Sequence, residues 1–146
     1  MEQHDRVHLA CHAHRSDVNP THGVFFLHDG VLNPTAINQR LFRHKGLAFL
    51  SACQTATGNE RLPDEAVHLG SAMLMAGYPS VTVTMWSVEG EYIPLTADRV
   101  YAQLMNDMKV GNGEAGKALD HAVAELRDKV GENEFGRCVP YIHIGS

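Results

Sequence analysis

The sequence predicts a three-layer α/β fold with a mostly parallel sheet flanked by helices, and three observations carry that expectation. The apolar run Leu47–Ala52 is hydrophobic toward both faces, as a strand covered by helices on either side must be. Segments with helical spacing separate it from the strand-like segments that follow, and a parallel crossover needs that length. Upstream, Val7–Ala10 repeats the design, and both runs end on reactive side chains: Cys11, His12 and His14 in one, Cys53 followed by the turn-forming Gln54–Gly58 in the other. Neighbouring strands delivering an imidazole and a thiol to one sheet edge have the makings of a base and a nucleophile.

The elements follow in order. Strand character begins at Val7, with six residues before it, and the strand ends at His12. That abrupt entry predicts that residues 1–146 are one domain's catalytic, C-terminal part, with earlier strands missing. Ser16–His22 is a loop by its turn residues. Val24–Leu32 reads as a hairpin in which Asp29-Gly30 supplies the turn. Asn33-Pro34 caps and opens a short helix that turns Ile37 and Leu41 inward and ends before Gly46. After the Leu47–Ala52 strand and a loop over Gln54–Leu62, Pro63-Asp64-Glu65 opens a helix with its acids against the positive end. Its stripe is Ala66, Leu69, Ala72, Met73 and Ala76, and Gly77 terminates it. Ser80–Trp86 is the next strand. A helix around Ile93–Met108 buries Ile93, Ala97, Val100, Tyr101 and Leu104. Another over Glu114–Val130 buries Ala115, Leu119, Ala122, Val123, Leu126 and Val130 and stops at Gly131. Pro140–Gly145 is the last strand.

Composition narrows the function. Hydrophobic content of 44% with 20% charged residues is that of an ordinary globular domain, and a net charge of -5 without a basic cluster argues against a nucleic-acid partner. No apolar segment reaches the roughly 20 residues of a membrane span, and the first residues lack the plan of a signal peptide. Three cysteines make no disulfide framework, so a reducing, cytoplasmic setting is expected. Ten histidines raise the question of metal. His8, Cys11, His12 and His14 crowd one strand, where they cannot all face one ion, and no second ligand pair follows, so the expectation is no metal. A phosphatase loop would need Arg where Asn59 stands, and no Gly-Lys-Ser/Thr phosphate loop is present.

Cysteine attacks as thiolate, and a nearby histidine both lowers its pKa and protonates the leaving amine. The separation of 41 positions from His12 to Cys53 accommodates a strand, a hairpin, a short helix and the next strand. The backbone N–H groups of Ala13 and Cys53, each just past a strand, are the candidate oxyanion donors.

His8-Leu9-Ala10-Cys11-His12-Ala13, Asp29-Gly30, Leu50-Ser51-Ala52-Cys53-Gln54-Thr55, Asp64-Glu65-Ala66, Ala76-Gly77-Tyr78, Val83-Thr84-Met85-Trp86 and Tyr141-Ile142-His143-Ile144-Gly145 together resemble the CHAT domain. That family comprises caspase-like cysteine proteases, related to separase and often carried behind TPR repeats. The resemblance implies a caspase-like sandwich, a cysteine endopeptidase with His12 as base and Cys53 as nucleophile, a protein or peptide substrate, and no cofactor. Three positions depart from the family's pattern. Ala13 stands where glycine is usual, Glu89-Gly90-Glu91 has an altered acidic spacing, and Ser51 occupies a position that is acidic in some relatives with basic-residue specificity. Ser51, Trp86 and Glu89 are the candidate substrate-pocket residues. His8, Cys11 and Cys138 read as structural, His14 as loop surface, and Met73, Met75 and Met85 as core filling. Two other functions stay open: a catalytically silent interaction module that keeps the fold, and a flavodoxin-like ligand binder.

Overall fold

A computed structural model of the chain describes residues 4–15, 23–33, 36–37, 46–51, 63–86, 92–106, 113–131, 134, 136 and 140–146, with side chains for all of these except 12–15, 23 and 63–68. In chain order the strands are β1 (Arg6–Leu9), β2 (His12–Arg15), β3 (Gly23–Leu27), β4 (Gly30–Leu32), β5 (Leu47–Leu50), β6 (Ser80–Thr84) and β7 (Tyr141–Gly145). The helices are α1 (Pro63–Met75), α2 (Tyr92–Asn106) and α3 (Glu114–Val130). Strands β1, β5, β6 and β7 form the main sheet in that order, and β2, β3 and β4 form a smaller one. The first three strands of the main sheet are parallel; β7 runs antiparallel to β6.

The period-2 alternation of β5 sorts the core into two. Ala48 and Leu50 join Val81 and Val83 of β6 on one face, against Leu69 and Met73 of α1, Tyr78 behind it, and Phe25 and Ile37. Leu47 and Phe49 point the other way, into Ala97, Val100 and Leu104 of α2 and Ala115, Ala118, Leu119, Ala122 and Leu126 of α3. Helix, sheet and helix pair therefore make the three layers of a caspase-like sandwich, as the doubly apolar β5 segment implies.

The helices match their sequence signals. On α2, Ala97, Val100 and Leu104 are buried as expected, along with Thr96, whose hydroxyl donates back to the Tyr92 carbonyl at 3.0 Å, while Ile93 and Tyr101 are only partly buried. α3 carries Glu114 in its first turn and Arg127 and Lys129 in its last, each sign favourable to the helix dipole. α1 closes in a Schellman motif: the Tyr78 N–H donates to the Met73 carbonyl at 3.1 Å and the Gly77 N–H to Leu74 at 2.8 Å. Gly77 has φ 91, a conformation that an alanine would resist. Met73 is fully buried, whereas Met75 is exposed at the end of the same helix and so fills no core.

Four expectations are corrected. The single strand expected from Val7 to His12 is two strands, β1 and β2, broken at Ala10-Cys11: β1 keeps to β5, whereas β2 pairs antiparallel with β3 in the other sheet and takes in Ala13 and His14, expected beyond the strand's end. Local alternation is the same for both partners, so it could not reveal the change. The hairpin turn is His28-Asp29, with Gly30 already in β4 and paired with Leu27, rather than Asp29-Gly30. Burial of Phe25 opposite Leu32 fixes that register, since a one-residue slip would turn the ring to solvent. The Ser80–Trp86 strand ends at Thr84, and Met85 and Trp86 form a bend. The last connection, through two helices, returns antiparallel rather than parallel. Of the short helix after Asn33, the structure describes Ala36 and Ile37, whose N–H groups both donate to the Asn33 carbonyl; Ile37 is buried, and Leu41 lies outside the described residues.

Gly145 closes the fold's far end. Its φ is +109, and a Cβ there would overlap the Pro79 carbonyl oxygen. Backbone cannot yield as a flexible side chain can, so Gly145→Ala is expected to destabilise by at least about 1–3 kcal/mol from the strained φ alone. Urea unfolding midpoints of the two proteins measure it; an unchanged midpoint would refute the expectation.

Candidate active site

Leu9 and Leu50, directly paired, end β1 and β5 at the same rim of the sheet. The Ser51 N–H donates to the Leu9 carbonyl at 3.2 Å and adds one more rung beyond β5. This rim is the carboxyl edge of the parallel strands, where open α/β sheets bind their ligands. From the paired leucines, His12 and Cys53 each lie three residues further along the chain.

His12 opens β2 opposite Phe26, and Ala13 follows it opposite Phe25. An antiparallel strand is extended backbone, which alanine adopts without the penalty it would meet at positive φ. Cys53, Glu89, Glu91 and Cys138 lie outside the described residues, as do the side chains of His12, Ala13 and His14. Trp86 sits in the bend after β6, 40% exposed, with its indole N–H donating to the Gly136 carbonyl at 2.9 Å. Cys11 packs partly against the α1-side core, and burial pushes its thiol pKa up, which disfavours the thiolate.

Ser51 does not stand free at the rim. It is 3% exposed, and its hydroxyl shares a 2.7 Å hydrogen bond with His8 Nε2. His8 faces the α2 side of the sheet, opposite to Leu9, with its ring edge-on to Phe49 (centroids 4.9 Å apart, planes at 63°) and tilted against Tyr101 at 5.7 Å. The other edge of the ring is open to solvent. Desolvation by this aromatic wall holds the His8 pKa below 6.5, so the imidazole is neutral at neutral pH. The same burial raises Tyr101 to about 12, against a smaller opposing pull from Arg6. A serine 2.7 Å from a neutral histidine has the spacing of a nucleophile and base, but Ser51 is too buried to reach a substrate carbonyl.

A second pair lies at the opposite end of the strands. Ser80 Oγ and His143 Nε2 are 2.8 Å apart where β6 begins, beneath Gly116 of α3, where a Cβ would stand 3.1 Å from His143 Nδ1. Burial lowers this histidine's pKa as well. Both histidines therefore stay neutral in the fold at pH values where the unfolded chain takes up protons, so stability rises with pH across that window. The contribution is complete above about 6.5 and is lost as pH falls toward and through the folded values. The thermal midpoint is expected to drop between about pH 7 and pH 5.5, by an amount on the order of a few degrees, and His143→Gln to flatten that slope. A slope identical in the variant would refute the assignment.

Sequence reasoning missed both serine–histidine pairs. Strand parity does place His8 on the face of Phe49 and Ser51 once β1 and β5 are paired with His8 opposite Phe49, but that register is not local information. Among the described residues, no group of three or more His, Cys, Asp and Glu side chains is arranged to hold a metal ion, and no helix is long and apolar enough to cross a membrane.

The family model of the CHAT domain matches residues 1–138 of the 146-residue chain. The chain belongs to the CHAT domain family. No curated protein matches it. CHAT is a caspase-like family, in keeping with the parallel sheet between helical layers described above. In this CHAT domain the described part of the rim includes the paired strand ends, the His8–Ser51 bond across them, the start of β2 and the bend after β6 that carries Trp86.

Proposed function

We propose that this CHAT domain is a cysteine endopeptidase in which Cys53 is the nucleophile and His12 the base. The observation that carries the reading is the parallel pairing of Leu9 with Leu50, which ends the two strands leading to these residues at one rim. In the proposed reaction Cys53 passes its proton to His12, and the thiolate sulfur bonds to the carbonyl carbon of the scissile peptide. The oxyanion is received by the Ala13 and Cys53 backbone N–H groups. His12 then protonates the departing amine, leaving an acyl-enzyme. Water, giving its proton to His12, cleaves the thioester and restores the thiol.

The substrate is a protein or peptide. Trp86, with its half-open indole, and Glu89 are the proposed pocket residues; the Ser51 hydroxyl at the third such position is already held by His8. The proposed setting is cytoplasmic, with TPR repeats or another regulatory partner outside this chain.

A peptide-library cleavage assay tests the proposal. The wild type should cut a restricted set of sequences and Cys53→Ala none. No cleavage by either protein would point instead to a catalytically silent interaction module.

A further inference from the structure

We propose that His8 and Ser51 are positioning residues for the thiol–imidazole pair, an inference that rests on the function just proposed. Ser51 is the last described residue on the way to Cys53, two positions short of it, and it is tied to β1 twice. Its N–H bonds the Leu9 carbonyl at 3.2 Å and its hydroxyl bonds His8 at 2.7 Å. Main-chain pairing alone fixes the spacing of two strands but lets the chain swivel where the ladder stops. A second bond from the side chain, on one face of the sheet, removes that freedom where β5 gives way to the nucleophile's segment.

His8 is well suited to the task. Its ring, although His8 is exposed, rests against Phe49 and Tyr101 on the α2 side, so these contacts limit its rotation alongside the bond to Ser51. The ring also belongs to β1, the strand that leads to His12, so one hydrogen bond links the approaches to both proposed catalytic groups. Neither residue needs to touch substrate: Ser51 is buried and His8 faces the α2 layer. Their effect is on the relative placement of sulfur and imidazole, where a misplacement of about an ångström can cost ~10²-fold in rate.

The test follows the alkylation rate of Cys53 by iodoacetamide from about pH 5 to 9, read by peptide mass mapping so that Cys11 and Cys138 are scored separately. The proteins are wild type, Ser51→Ala, His8→Phe, the double variant and His12→Ala. His8→Phe keeps a ring beside Phe49 and Tyr101, so it serves should Ser51→Ala lose the fold, which thermal unfolding reports. Each single variant is expected to slow Cys53 alkylation near neutral pH about 10- to 100-fold and to move its inflection to higher pH. The double variant should be no slower than the worse single, since partners in one bond are not additive. Rates and inflections within about twofold of wild type in both singles, with His12→Ala still impaired, would overturn the positioning role and leave the dyad standing. A wild-type Cys53 that titrates as an ordinary thiol, unaltered by His12→Ala, would overturn the dyad and this inference with it.

Discussion

Replacing His12 by alanine is expected to slow peptide hydrolysis by about 10²- to 10⁴-fold, the usual worth of a positioned general base. The loss should be largest near neutral pH and shrink as pH rises, because bulk hydroxide then generates the thiolate that the imidazole no longer supplies. The whole pH–rate profile is the measurement, with thermal unfolding as the control. Since chemistry rather than binding is affected, kcat should carry the change and KM should hold. Equal rates at every pH would remove His12 from the reaction. A loss confined to KM would move it to the substrate-binding surface.

The second large effect falls on stability. Phe49→Ala is expected to cost about 3–5 kcal/mol, the range for deleting a buried aromatic side chain. Phe49 is fully buried in β5, and its ring meets His8 at 4.9 Å and Tyr101 at 6.0 Å. Against a total stability of about 5–15 kcal/mol, such a loss leaves a marginal fold. The thermal midpoint should fall by roughly 10–15 °C for a domain of this size. Phe49→Leu, which keeps much of the volume, should lose less. Denaturant melts of the three proteins decide it, and a cost below about 1 kcal/mol for Phe49→Ala would show that α2 and α3 close over the gap without it. The same substitution removes one wall from His8, so Cys53 alkylation should slow in whatever fraction remains folded.

The elements the sequence revealed best are those whose signal is local. α3 matches its expected limits, Glu114–Val130, because Ala115, Leu119, Ala122 and Leu126 repeat at helical spacing and Gly131 follows. α2 starts and ends within about two residues of its expected range, as fraying helix ends allow. β5 was legible from composition alone, since Leu47, Ala48, Phe49 and Leu50 are all buried. The strand exits were harder. His12 belongs to a different sheet from His8, although only three residues separate them, and nothing in the alternation marks the break at Ala10-Cys11. Ser51 reads as a pocket residue because some relatives with basic-residue specificity carry an acid there, and only the fold shows its hydroxyl engaged by a histidine 43 positions away.

Taken by itself, the sequence determined the layers of this CHAT domain and the strand that centres its sheet, because burial and helical period act over a few neighbours. Tertiary structure alone decided that β7 returns antiparallel, that the His8 strand stops at Leu9, and that Ser51 answers to His8. Each of those outcomes depends on which strand lies beside which. Strand pairing joins residues far apart in the chain, so its register and direction are settled only when the two faces of the sheet are packed together.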